Sequence, residues 1–190
     1  MIGMKSVTDF KEQKGAHTLP VVEVVRVLLA VLGGVLLVLL IVAGYRFYHL
    51  SPRSLYEQAF VDYKLSNEGD WELGATPVEL AYRTGNYDSV IRESKKTQPF
   101  TDQDYLLIGL SYMHKGDYSS SIEPLRLVNL WNDSDYKAEG EFYLALAYLR
   151  NKDYDLSLEM MQRIRRDPDH TYHARITDKM VRNVRILKWR

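Results

Sequence analysis

The sequence predicts an all-α protein in which one N-terminal transmembrane helix precedes an α-α superhelix built from helical hairpins. An uncharged run of 18 apolar or glycine residues lies near the N-terminus, which is enough for a membrane-spanning helix. Beyond residue 75, a pattern of small, large and aromatic residues recurs at spacings of 31 and 36 residues, where helical-hairpin repeats typically have about 34. Cysteine is absent, so the fold needs neither a disulfide nor a thiolate metal site.

The chain divides into four segments by composition. They are a short N-terminal tail (1–20), a transmembrane helix (21–48), a connector with one amphipathic helix (49–75) and a repeat domain with a capping helix (76–190). Lys+Arg and Asp+Glu both number 25, so no overall charge favours a polyanion, and nucleic acid is not an expected partner.

The membrane segment is the run Val27–Gly44, which reaches a helix length of roughly 30 Å when it is extended to Tyr48. Arg26 and Arg46 bracket the run, and aromatic residues follow it as they do at membrane interfaces. A cleaved signal peptide is the alternative. The run is longer than the usual apolar core of about 7–15 residues and starts late in the chain, which favours an uncleaved signal anchor.

Two further properties of the anchor follow from its sequence. The pair Ala30-x-x-x-Gly34 is spaced for close packing of two membrane helices, so a weak homo-oligomer and plain lipid-facing positions are both open. The basic residues in the N-terminal flank are Lys5, Lys11, Lys14 and Arg26, and those in the C-terminal flank are Arg46, Arg53 and Lys64. Four against three predicts that the N-terminus lies inside and that the repeat domain is translocated to the extracytoplasmic side.

The connector and the start of the repeat domain carry local signals. Apolar residues at helical spacing predict an amphipathic helix over residues 52–65, followed by a turn over residues 67–70. Thr76-Pro77 with Glu79 predicts a helix start with a Thr N-cap, and Pro at the first helical position.

The repeat itself is seen in two full copies and one partial copy. The first full copy reads Tyr105-x-x-Ile108-Gly109-x-x-Tyr112, Gly116-Asp117-Tyr118 and Ser121-x-x-x-Leu125. The second reads Leu144-Ala145-x-x-Tyr148, Lys152-Asp153-Tyr154 and Ser157-x-x-x-Met161, and the partial copy has Tyr82 and Gly85-Asn86-Tyr87. This order matches the tetratricopeptide (TPR) pattern, and about three TPR hairpins are therefore expected.

A capping helix is predicted over residues 171–188, where apolar residues form one stripe. Its basic face carries Arg175, Lys179, Arg182 and Arg185. Residues 163–190 hold 9 basic and 3 acidic residues, whereas residues 51–162 hold 11 and 19. A solvated outer surface explains this face, and an anionic lipid or ligand site is the alternative.

The chain resembles the single-pass inner-membrane TPR proteins of Bacteroidetes over roughly residues 21–187. In those bacterial proteins the anchor precedes a segment like Leu55-Tyr56-x-x-Ala59-Phe60-x-x-Tyr63, and the unit ends in a motif like Pro168-Asp169-His170-Thr171-Tyr172. The resemblance implies a fold and leaves the role open. It implies a concave groove lined by Leu106, Leu110, Met113, Phe142, Leu146 and Leu149.

An apolar groove of this kind favours an amphipathic helix or an extended peptide as its ligand. The alternative is that the chain's own 52–65 helix fills the groove, and the sequence leaves both open. The leading hypothesis is an anchored scaffold that binds a protein or peptide partner. One form of this hypothesis is an accessory factor near the protein export machinery, but no residue of the sequence favours it over other scaffold roles.

Catalytic patterns are absent from the sequence. There is no glycine-rich phosphate loop, nucleophile elbow or His-Glu-x-x-His motif. His170-x-x-His173 beside two aspartates is interpreted as a surface loop rather than a metal site. The acid pairs Asp102/Asp104 and Asp153/Asp155 fall at predicted helix starts, where capping explains them. No enzyme activity, cofactor or metal is expected.

Overall fold

The computed structural model describes residues 21–65, 74–96, 99–131 and 133–190, and all regular structure within these ranges is helical. The helices are α1 (Val21–His49), α2 (Pro52–Ala59), α3 (Pro77–Arg83), α4 (Tyr87–Glu93), α5 (Asp102–His114), α6 (Tyr118–Leu130), α7 (Lys137–Asn151), α8 (Tyr154–Arg166) and α9 (Asp178–Lys188). The chain forms two compact units that divide between His49 and Leu50. The predicted tail (1–20) and the turn at 67–70 lie outside the described residues.

Helix α1 is the first unit. Its 29 residues make it long and apolar enough to span a membrane, and its large apolar side chains are exposed. Leu and Val side chains left in water would cost about 1.5–3 kcal/mol each relative to burial, so the helix needs an apolar environment. The segment predicted to cross a membrane is thus one helix whose length and apolar composition are sufficient for a span.

The second unit consists of paired helices. Helices α3 and α4, α5 and α6, and α7 and α8 pack on each other across short turns, and α9 packs on α8. The turns use backbone with positive φ: Gly85 (φ 70°), Gly116 (φ 77°) and Lys152 (φ 70°). Glycine adopts this conformation without a Cβ clash, which explains two of the three turns.

Small residues set the spacing within and between the pairs. A Cβ added to Gly109 in α5 would lie 2.5 Å from Leu125 Cγ in α6, and one added to Gly140 in α7 would lie 2.9 Å from Val128 Cγ1. In the last pair, the buried Ser157 hydroxyl donates to Ala145 O at 3.0 Å. The predicted close approach at Gly109 and Ala145 is therefore present.

The connector helix is shorter than predicted. Helix α2 ends at Ala59, because Phe60 takes the extended angles φ −57° and ψ 133°, and residues 61–65 have no helical structure. The helical spacing of apolar residues up to Leu65 was misleading, since the later ones pack against the core from non-helical backbone.

The capping helix also starts later than predicted. Thr177 is the N-cap, with its side chain accepting from Met180 N, and turns occupy residues 169–176. Tyr172 stacks on Phe142 at 4.1 Å, and Ile176 is fully buried. Tyr172 and Ile176 are apolar because they make tertiary contacts from the turns, not because they belong to a helical stripe. Arg175 lies in these turns and precedes the helix.

Candidate binding groove

The groove is the face of the second unit that α3, α5 and α7 present to residues 50–65, which we call the docked segment. The six residues predicted to line an open groove are instead interior. Their side chains are 0–2% exposed and belong to the same hydrophobic core as Leu55, Tyr56 and Ala59 of the docked segment. The arrangement is that of a groove filled by the chain's own connector, and these residues offer no open surface.

The docked segment enters the groove as a short capped helix. Ser51 caps α2 by accepting from Ser54 N at 3.1 Å, and Pro52 occupies the first helical position. Helix α2 packs on α7 and α9, with Leu55 and Ala59 fully buried. The cap and the proline allow a helix of only eight residues to begin at a fixed place.

Aromatic side chains hold the helical part of the docked segment. Tyr56 meets Tyr118 edge-on at 5.4 Å, and the Arg150 guanidinium lies 4.5 Å from the Tyr118 ring centroid and 5.8 Å from that of Tyr56. A cation over two rings adds an attraction of about 0.5–2 kcal/mol to the apolar contact. Three elements thus meet at Tyr56.

Phe60 occupies a slot between two helices of different hairpins. Its ring lies 5.8 Å from His114 in α5 and 6.0 Å from Tyr143 in α7, both edge-on. His114 in turn stacks flat on Tyr87 at 4.2 Å. Burial lowers the pKa of His114, even though Asp62 Oδ1 lies 3.1 Å from its Nε2 and acts in the opposite direction.

Two tyrosine hydroxyls bind the main chain of the non-helical part of the docked segment, residues 61–65. Tyr143 donates to Val61 O at 2.8 Å, and Tyr82 donates to Tyr63 O at 3.3 Å. Burial is the main cause that raises the pKa of both tyrosines, so the hydroxyls stay protonated and remain donors. Hydrogen bonds to carbonyl oxygens do not depend on the side chains of the bound segment, so they are suited to holding an extended peptide.

The predicted basic face is exposed, but it is not one helix face. Lys179, Arg182 and Arg185 lie on α9, while Arg175 lies in the preceding turns. Of the residues with structural descriptions, none forms an ion pair with Arg182 or Arg185.

The histidine pair is used to fix the loop before α9. His170 Nδ1 accepts from Tyr172 N at 3.1 Å, while its Nε2 lies 3.4 Å from the buried Glu141. His173 faces the other way, with Nδ1 3.0 Å from Asp167 O. No group of three potential metal ligands occurs within the described ranges. The Pro-x-His-x-Tyr motif thereby attaches the loop to α7.

The polar contacts of the docked segment were not predicted from the sequence. Tyr82, His114 and Tyr143 were not singled out as site residues. The available signal was the excess of tyrosine, 14 against 5 phenylalanines. A buried tyrosine needs a hydrogen-bond partner, so an excess in the repeat helices indicates main-chain or side-chain acceptors nearby.

Comparison of the chain with protein-family models, curated proteins and solved structures finds no match.

Proposed function

We propose that the protein is a membrane-anchored TPR-type scaffold that binds a partner polypeptide in its groove in exchange for the docked segment. The observation that carries the proposal is the way residues 50–65 are held. They are bound as a separate peptide would be, with aromatic side chains in slots and two carbonyls accepting from groove tyrosines.

The contacts of the docked segment indicate which features a ligand of the groove would have. The helical part of the docked segment presents Tyr56 and Phe60 four residues apart, and their rings stack at 4.9 Å. The non-helical part contributes main-chain carbonyls and one carboxylate, that of Asp62. A partner that fits is a short polypeptide with two aromatic residues on one helical turn, followed by a non-helical stretch with a carboxylate two residues after the second ring.

Exchange is costly because the docked segment is covalently tethered. A short tether gives an effective concentration in the millimolar range. A free peptide at micromolar concentration competes poorly against it. Partner binding then requires either a tighter ligand or a signal that weakens the docked segment, and this makes the groove a regulated site.

The experiment measures exchange in the full-length protein in nanodiscs. A fluorescent peptide of residues 50–65 is titrated against the unaltered chain and against Tyr56→Ala/Phe60→Ala. Truncating both rings removes about 3–6 kcal/mol of burial from the tethered segment, so the variant should bind the peptide at least tenfold more tightly. Fluorescence anisotropy gives the two affinities.

A matched peptide provides the control for that titration. A peptide carrying the same two alanines should bind neither protein, because it lacks the rings that occupy the slots. Absence of binding by the variant, with unchanged helicity by circular dichroism, would argue against a peptide-binding groove.

The anchor fixes where binding happens. We infer that α1 spans the inner membrane and that the repeat unit is extracytoplasmic, on the charge balance of the flanks. Added protease should degrade the repeat unit in spheroplasts without permeabilisation. Protection until the membrane is opened would reverse the orientation.

A further inference from the structure

Helix α9 carries two different stripes. One is the packing stripe of Met180, Val184 and Leu187, all buried. The other consists of Arg182, Arg185, Ile186 and Trp189, which recur at helical spacing and are all exposed. We call this second set the Trp189 stripe. A purely solvated face would not need an isoleucine and a tryptophan between its arginines.

The exposure of Trp189 is unusual. Its side chain is 83% exposed, more than any other large apolar side chain in the described ranges, and Ile186 is 41% exposed. The four residues of the stripe line a shallow cleft of about 310 Å³. Tryptophan beside arginine is typical of surfaces that meet lipid headgroups, where the ring enters the interface and the cation meets phosphate.

The charge around the stripe is strongly positive. Residues 175–190 carry six basic side chains and one acidic one, Asp178. The two that are bound to the rest of the unit are Lys188, which pairs with Asp155, and Arg190, which donates to Leu50 O at 3.1 Å. Arg182 and Arg185 form no ion pair within the described ranges, so their charges are available to an outside anion.

The contact of Arg190 with Leu50 places the stripe in the chain. Arg190 donates to the carbonyl of Leu50, the first residue of the second unit, and Leu50 follows α1 in the chain. Basic residues near an anionic bilayer each gain several-fold in surface occupancy, and the gain falls off within a Debye length of about 8–10 Å.

We propose that the Trp189 stripe docks on the anionic phospholipid surface of the membrane that α1 enters, so that the second unit is held at its C-terminal end as well as by the chain. The inference rests on the proposed anchoring by α1, and it does not depend on peptide exchange in the groove.

The test uses the native tryptophans of the full-length protein in nanodiscs. Trp71→Phe/Trp131→Phe leaves Trp189 as the only tryptophan, and Trp71→Phe/Trp189→Phe leaves Trp131, which is also exposed, as the matched control. Brominated phosphatidylcholine quenches tryptophan that contacts the bilayer. With phosphatidylglycerol added, Trp189 should be quenched and Trp131 should not.

Charge variants provide the second part of the quenching experiment. Arg182→Gln/Arg185→Gln in the Trp189-only chain should abolish quenching, because each lost arginine lowers surface occupancy roughly fivefold. Lys95→Gln/Lys96→Gln removes the same charge from residues after α4 and should leave quenching unchanged. Raised salt should weaken the quenching in the unaltered stripe.

The contrary outcomes are distinct. Equal quenching of Trp131 and Trp189, or quenching of Trp189 that survives the double arginine variant, overturns docking by this stripe. Absence of Trp189 quenching in protein that is incorporated in nanodiscs also overturns it and leaves anchoring intact. Failure of the protein to incorporate at all would overturn the anchoring proposal and this inference together.

Discussion

Gly109 is the residue that determines how closely α5 and α6 approach. Any side chain at this position points at Leu125, which is fully buried and has no free space to enter. The equivalent position in the next hairpin is Ala145, whose carbonyl accepts from the buried Ser157 hydroxyl of the facing helix. The same position thus holds a glycine in one hairpin and an alanine in the next, and in both hairpins the two helices approach closely there.

Gly109→Ala should destabilise the protein by about 1–3 kcal/mol, the usual cost of overpacking a dense core. The added Cβ would lie 2.5 Å from Leu125 Cγ, so the two helices must separate. Urea unfolding followed by circular dichroism measures the loss. In the double variant Gly109→Ala/Leu125→Ala, the cost should be smaller than the sum of the single costs. An additive double variant would contradict the contact.

His114 should make stability depend on pH. Burial lowers its pKa in the folded state, so the unfolded chain takes up a proton first as the pH falls below about 6.5. Stability is therefore fully present above that pH and is lost as the pH falls towards the folded pKa. His114→Gln, which cannot titrate, should show a flatter dependence of the unfolding midpoint between pH 7 and pH 5. An unchanged slope would show that other groups cause it.

At the scale of elements, two acids in the first turn of α5 connect one hairpin to the next. Asp104 is 2% exposed and forms a capping box with Thr101 at the start of α5. Its second role is to accept from the Thr76 hydroxyl, which itself caps α3. Asp102 likewise accepts from Ser134, ahead of α7, at 2.7 Å. Helix caps therefore also position neighbouring hairpins.

Asp104→Ala should remove both functions and destabilise the protein by about 2–3 kcal/mol, more than the ~1 kcal/mol of a simple cap. Because Thr76 loses its partner, hydrogen exchange should accelerate most in α3 and α4. Asp117→Ala is the matched control, since Asp117 caps α6 within its own hairpin. Equal exchange changes in the two variants would show that the link between hairpins contributes nothing.

The elements were predictable to the extent that their signals are local. Neighbouring residues alone indicate the apolar run, the glycine turns and the helix start at Thr76-Pro77. The structure has helices and turns at these places. The C-terminal end of α2 and the N-terminal start of α9 were mispredicted. The apolar residues at 61–65 and 172–176 make tertiary contacts from outside a helix, and periodicity alone does not distinguish such residues from a helical stripe. Lys152 has the positive φ that a glycine would favour, so that turn was recognisable only through its repeat.

At the scale of the whole molecule, the open question in the sequence was what covers the apolar faces of α5 and α7. Periodicity shows that a face is apolar, but it does not show which segment buries it. The answer depends on long-range contacts such as that between Tyr143 and Val61, which are 82 residues apart. A local sequence pattern does not show which distant residue is the partner in such a pair. For this reason a filled groove and an open groove were equally compatible with the sequence.

The hydrogen bond from Arg190 to Leu50 has a consequence for engineering the second unit. Its first and last residues lie within reach of one side chain, so a short glycine-serine bridge is long enough to join the two ends into a closed ring. Ring closure reduces the entropy of the unfolded chain and should raise the unfolding temperature. A backbone-cyclised version of residues 50–190 would thus keep its native contacts while losing both loose ends.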